Sequence, residues 1–159
     1  MSFTIRKAKK EDMPKVLSLI NQLAHFENEP DAVEVTLQDL ENDGFSESPA
    51  FFCFVAEINS KIEGIALGYF RYSTWKGKTV HLEDLMVNEA ARGTGLGSAL
   101  LDEIVKFGHE LGVKRINWEV LDWNEPAIKF YKQKGATIKE EWRVVHMDEQ
   151  SIKNYISKL

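Results

Sequence analysis

The sequence predicts an α/β fold, a mixed central sheet flanked by helices, with antiparallel strands first and a β–α–β unit after them. Two observations carry this. Residues 51–87 hold three strand-like runs separated only by tight turns. Beyond Val87, the glycines Gly93, Gly95 and Gly97 open a long helical stripe, and a further strand follows it. No repeat, low-complexity stretch or Pro/Gly/Ser-rich linker divides the chain, so residues 1–159 read as one domain.

The elements follow in order. Phe3 and Ile5 alternate with polar neighbours as a short half-buried strand. Asp12 is placed to cap a helix that has Pro14 in its first turn and Val16, Leu17, Ile20, Leu23, Ala24 and Phe26 along one stripe. Thr36 and Asp39 form a capping box for a shorter helix, and 42–49 is turn-like. Phe51–Glu57 and Ile62–Tyr72 make a hairpin around Asn59-Ser60-Lys61, and Lys78–Val87 is the next strand. The helix after the glycines carries Leu96, Leu100, Leu101, Ile104, Val105 and Phe107, and Gly112 stops it. Arg115–Leu121 is a strand. Asn124 caps a helix with Pro126 in its first turn, and Gly135 ends that helix. Thr137–His146 is expected to be a strand, and Asp148 caps a final short helix.

Composition narrows the function. The chain has 159 residues, 43% hydrophobic and 28% charged, with a net charge of −5. That charge disfavours nucleic acid or an anionic membrane as a partner. Cys53 is the only cysteine, so no intrachain disulfide or cysteine metal cluster is possible. It sits in an apolar strand as a buried, inert thiol. The four histidines lack metal-ligand spacing, and no metal is assigned. No apolar run reaches spanning length and the N-terminus has no signal core, which implies a cytoplasmic protein.

Arg92-Gly93-Thr94-Gly95-Leu96-Gly97-Ser98 is the segment with a chemical message. A helix start presents about four unpaired N–H groups and a favourable dipole to an anion. Glycine lets those groups approach without a Cβ in the way. The P-loop is excluded, because Gly97-Ser98-Ala99 stands where Gly-Lys-Ser/Thr is needed. The dinucleotide fingerprint fails at its third glycine, where Ser98 stands.

The remaining pattern, Arg-x-x-Gly-x-Gly, resembles the pyrophosphate segment of the Gcn5-related N-acetyltransferase (GNAT) superfamily. The stretches 81–87 and 123–136 extend the likeness, and Leu23–Leu40, Tyr72–Val87 and Glu141-Trp142-Arg143 resemble the diamine and spermidine/spermine N-acetyltransferase branch, which includes thialysine acetyltransferases. The resemblance implies the acyl-CoA N-acyltransferase fold, acetyl-CoA as the acetyl donor, and a primary amine of a small cation (polyamine, diamine or lysine-like amino acid) as acceptor. It implies that Arg92, Gly93, Thr94, Gly95, Leu96, Gly97 and Ser98 cradle the pyrophosphate. Leu85, Met86 and Val87 would pair with the pantetheine arm, and Asn124 would bond to it or simply cap its helix. Lys129 and Lys132 either reach the phosphates or stay solvated. Branch members resemble homodimers, some exchanging a C-terminal strand, a part open to Thr137–His146.

The chemistry asks for two proton movements. An alkylammonium has a pKa near 10.4, so free amine at pH 7 is scarce by roughly 4–5 kcal/mol. A base must take that proton before the amine attacks the thioester carbonyl, and the departing thiolate needs an acid. By position in the branch, Tyr131 is the expected acid, in contact with the cofactor. Glu83 is the expected base, acting through a water, and Asp84 either holds the cationic amine or tunes that water. Neighbouring side chains on a strand point to opposite faces, so the two carboxylates share a site only if a bulge breaks the alternation. His81 is expected at the strand surface. Glu27, Glu29, Asp31 and Glu34, with Glu83 and Asp84, either supply an acidic field for a cation or form an ordinary acidic loop, and Trp75 and Trp142 are candidate walls of an amine channel. Two rivals stand beside this reading: acetylation of a protein or peptide amine, and a non-catalytic CoA-binding module.

Overall fold

In the computed structural model, which describes residues 2–159, five strands form one sheet in sequence order. They are β1 (Thr4–Lys7), β2 (Phe52–Ile58), β3 (Lys61–Ser73), β4 (Gly77–Val87) and β5 (Ile116–Asn117). The first four pair antiparallel, and β5 joins β4 in parallel. The helix between β4 and β5, α3 in chain order, spans Leu96–Glu110, so the expected β–α–β unit is present. The helices before it are α1 (Met13–Phe26) and α2 (Leu37–Gly44). The chain divides into two compact units, residues 1–119 and 120–159, and all of these elements belong to the first.

Alternation along β2 sorts the two faces of the sheet. Cys53 and Val55 join Met13, Val16 and Leu19 of α1 in one core with Leu40, Ile65, Leu67 and Met86. Phe52 and Phe54 turn the other way, against Phe107 of α3, with ring centroids 4.7 and 5.5 Å apart. The helices therefore cover opposite faces, but the stripes read from spacing are only partly right: α1 buries Met13 and Leu19, which that stripe omitted, while Phe26 of α1 and Val105 of α3 are exposed.

Local signals behave as expected at most ends. Thr36 and Asp39 close their capping box, with the Asp39 amide donating to Thr36 Oγ1 at 3.2 Å. Asn59 and Ser60 take left-handed φ in the two-residue β2–β3 turn. Asp12 is a correction. It does not cap α1; its carboxylate accepts from Arg6 at 2.7 and 3.0 Å and from the Lys9 amide at 2.7 Å. The Arg6 guanidinium is the stronger attraction, and it holds the Asp12 carboxyl below the usual range. The turn-like stretch expected from residue 42 starts later, because α2 runs on to Gly44.

The second unit contains α4 (Glu125–Gln133) and α5 (Glu149–Ile156), capped by Asn124 and Asp148 as predicted. Two strand expectations fail. Arg115–Leu121 contracts to the two residues of β5. Thr137–His146 forms no strand, and Trp142, Val144 and Val145 are exposed. A strand needs a neighbour to satisfy its backbone groups, and no described strand pairs with this stretch. Among the described residues, no helix is long and apolar enough to cross a membrane.

Candidate active site

The bulge needed by the carboxylate pair is present. In the β3–β4 ladder Leu67 faces Asp84 while Gly68 faces Leu82, so Glu83 is the extra residue. Gly68 makes this possible. A Cβ there would lie 2.7 Å from the His81 carbonyl oxygen and 2.8 Å from the Phe52 ring. The sequence reading passed over this glycine, although a glycine inside a strand signals a bulge or a close approach. Gly68→Ala should therefore destabilise the chain by roughly 2 kcal/mol and lower catalysis. A urea melt beside steady-state kinetics measures both, and unchanged stability would refute the close-packing argument.

The bulge places Glu83 and Asp84 where each feels the other. Asp84 is half-buried, and its carboxyl is pushed up to about 6 by burial first, then by repulsion from Glu83 and Glu27. Glu27, at the C-terminal end of α1, is raised by partial burial and then by Glu83. These three carboxylates, up to 57 positions apart in the sequence, thus repel one another across one locality. Such a site is relieved by a cation. Cys53 is buried nearby, with its thiol pushed up to about 12 chiefly by burial, which keeps it an unreactive core residue.

His81 departs from expectation. It is buried rather than on the strand surface, with Nε2 3.3 Å from Glu83 Oε2 and Nδ1 2.6 Å from Asn117 Nδ2. Sequence reading passed over Asn117 too, because the pairing depends on β4–β5 register.

The glycine segment meets β4 at its end. Gly93 and Gly95 have φ of +75° and +86°, with nothing within 4 Å of where a Cβ would stand. Gly95 is the N-cap of α3, and its carbonyl accepts the first helical bond from Ala99 at 3.0 Å. The amides of Leu96, Gly97 and Ser98 therefore precede the helix ladder. Thr94 Oγ1 donates to the Ala91 carbonyl at 2.7 Å and so shapes the loop. The Arg92 guanidinium lies 5.3 Å over the Phe26 ring, one residue from Glu27. β5 pairs only with Val80 and His81, so β4 runs past it through Leu85, Met86 and Val87.

Trp75 stands apart from these groups. It lies in the β3–β4 turn, 80% exposed, and at ~3.3 Å per strand residue the turn is roughly 20 Å from the bulge. It does not wall the carboxylate site of its own chain. In the second unit, Tyr131 on α4 is buried beside Phe130, with ring centroids 5.3 Å apart. Asn124 Oδ1 accepts from the Ala127 amide at 3.4 Å, a long cap bond. Lys129 and Lys132 line a shallow open groove on α4, and Trp142 is exposed beyond it in the sequence. Among the described residues no cluster of His, Cys, Asp and Glu is arranged to hold a metal.

Comparison with known proteins agrees with this architecture. The profile of the acetyltransferase (GNAT) family matches residues 14–136. The thialysine N-epsilon-acetyltransferase of Bos taurus is 36% identical over 97% of this chain and 97% of its own. A human spermidine/spermine N(1)-acetyltransferase-like protein 1 is 34% identical over 94% of this chain and 23% of its own. Among solved structures, an integron cassette protein from the mobile metagenome of V. cholerae superposes with a TM-score of 0.81 at 24% identity, covering 100% of this chain and 99% of that one. With the profile spanning most of the chain and a relative above 30% identity along nearly all of it, this chain belongs to the acetyltransferase (GNAT) family and is an acetyl-CoA-dependent acetyltransferase.

Proposed function

We propose that the chain acetylates a primary amine of a small cation: a diamine, a polyamine, or a lysine-like amino acid such as thialysine. The observation that carries this reading is the mutual repulsion of Glu27, Glu83 and Asp84 beside the glycine segment. The thialysine acetyltransferase named above supports the same class of acceptor.

The residues present fit the cosubstrate. Left-handed Gly93 and Gly95 leave open space on the loop, and the first amides of α3 precede its ladder, as a pyrophosphate requires. Arg92 to Ser98 would hold that group, with Arg92 as the neighbouring cation. Leu85 to Val87, where β4 runs past β5, would pair with an extended arm. Acetyl-CoA supplies an activated acyl carbon and a thiolate leaving group. Asp84 and Glu27 attract the ammonium and hold it. Glu83 takes one of its protons through a water, which frees the lone pair for attack. Tyr131 donates its phenolic proton to the departing sulfur, and Asn124 orders the start of the helix that carries Tyr131. The match of residues 14–136 crosses the boundary between the two compact units, which supports reading 1–159 as one N-acetyltransferase domain.

The test is CoA release with spermidine, spermine, putrescine, lysine, thialysine and a free-amine peptide. At least one small amine should exceed the peptide in kcat/KM by about 100-fold or more, a factor that pocket contacts alone can supply. Activity on the peptide alone would overturn the proposal. Tight acetyl-CoA binding with no turnover of any amine would make the chain a binding module.

We further propose that the protein acts in the cytoplasm as a homodimer. Exposed Trp142, Val144, Val145 and Met147, in a stretch with strand-like composition and no strand partner, support an exchange between copies. Sedimentation over a range of concentrations should give twice the chain mass, and Val145→Lys should shift it toward one. A concentration-independent single chain would sink the dimer.

A further inference from the structure

We propose that His81 is a positioning residue for Glu83, held in place by Asn117. The proposal rests on reading Glu83 as the base. Glu83 is the extra residue of the bulge, and its side chain is 54% exposed. Nothing in strand geometry fixes such a side chain, and repulsion from Asp84 and Glu27 would drive it toward solvent. His81, two residues back, is buried and places Nε2 3.3 Å from Glu83 Oε2. An Nε2–H there donates to the carboxylate and keeps it at the site.

The ring is itself fixed. Its Nδ1 lies 2.6 Å from Asn117 Nδ2, an arrangement in which the amide donates and the ring carries its hydrogen on Nε2, toward Glu83. The Tyr69 ring packs against the imidazole at 4.9 Å. Asn117 Oδ1 is buried without a partner. Turning the amide over would let that oxygen accept from Nδ1–H of a doubly protonated ring, which still donates from Nε2 to Glu83. Asn117 thus serves either protonation state of His81, and both states hold the carboxylate. The other ionisable groups here are Glu27 just after α1 and Asp84 on β4, both coupled to Glu83, and Tyr69 on β3, which Glu83, Arg71 and Glu119 influence in turn. Glu27, Asp84 and Glu119 are carboxylates, whereas the Tyr69 phenol is held protonated by burial and then by Glu83, so negative charge outweighs Arg71 and a local donor to Glu83 is more consequential.

The test compares His81→Phe, His81→Gln and Asn117→Ala, with and without Glu83→Gln. His81→Phe should lower kcat about tenfold while both KM values stay within about twofold, since it misplaces the base rather than the substrates. The acidic limb of kcat/KM should move to higher pH, because a donor to the charged carboxylate has gone. His81→Gln retains an N–H donor and should recover kcat to within about threefold of wild type. Asn117→Ala leaves the ring and should move the limb the same way with a smaller loss, so the test survives if His81→Phe folds poorly. In the Glu83→Gln background, the His81 changes should add nothing. A folded His81→Phe with wild-type kcat and an unmoved limb overturns the proposal, as does a glutamine no better than phenylalanine, or a full tenfold loss without Glu83. A Glu83→Gln enzyme that keeps its acidic limb refutes the base assignment, and the proposal with it. One that loses the limb while every His81 variant behaves as wild type refutes only the positioning role.

Discussion

Tyr131→Phe is expected to reduce kcat by about 100-fold and leave the KM for amine and for acetyl-CoA nearly unchanged, at the lower end of what a positioned general acid contributes. The substitution removes one oxygen. The ring that packs at 5.3 Å from Phe130 stays, and so does the apolar burial of α4. Truncation to alanine would not serve, because a lost buried aromatic side chain costs roughly 3–5 kcal/mol and mixes folding with chemistry. If the phenol protonates the departing sulfur, the loss should shrink with acyl donors whose thiols are more acidic, since those leave without help. A kcat within threefold of wild type, or a loss independent of the leaving group, would remove Tyr131 from the acid role.

Asp84→Asn should have opposite effects on stability and binding. The folded carboxyl titrates near 6, above the 3.8 of an ordinary aspartate, with burial the first cause and Glu83 and Glu27 the next. A raised value means that the folded chain prefers the protonated form. Its contribution to stability is intact below about pH 4, is lost as pH rises through 6, and stays lost above that. The cost of holding the charge at pH 8 is on the order of 2–3 kcal/mol. Asparagine never ionises, so the variant should match wild type near pH 4 and exceed it at pH 8 by an amount of that order. Urea melts at the two pH values measure this, and an equal difference at both would refute the electrostatic origin.

The same substitution should raise the amine KM by tenfold or more, since a half-buried carboxylate that has lost its charge no longer attracts an ammonium. Stability surrendered in the free protein is then recovered when the cation binds. If Asp84→Asn instead removes turnover and its acidic limb while KM stays put, Asp84 rather than Glu83 is the base. A value near 6 suits that duty as well, because a base works best when its pKa lies near the operating pH.

Much of the site was legible before folding because its signals are local. Gly93 and Gly95 were conspicuous at a strand-to-helix junction, and their left-handed φ explains why glycine stands there. The capping residues Thr36, Asn124 and Asp148 act on amides three positions away, so a short window suffices to find them. The need for a bulge at Glu83-Asp84 also followed from strand period, although its partner Gly68 went unnoticed.

What failed depended on contacts between distant positions. Asp12 looked like a cap because a cap needs only the next turn, but Arg6 and the Lys9 amide claimed its carboxylate. Thr137–His146 has the composition of a strand, yet composition does not supply the neighbouring edge. Trp75 read as a channel wall until the length of β4 placed it far from the bulge.

The sequence by itself determined the fold class from periodicity, pointed to the family by resemblance, and singled out the glycine segment proposed to receive a pyrophosphate. Only the tertiary structure decided which groups act on one another. Register across 36 positions set Asn117 on His81, and the bulge opposite Gly68 brought Glu83 and Asp84 within reach of Glu27. The raised Asp84 carboxyl is the clearest case. Its sequence neighbourhood contains one like charge, whereas its value near 6 comes first from burial by the folded chain. Desolvation and close repulsion are properties of a packed interior, and no window of sequence contains them.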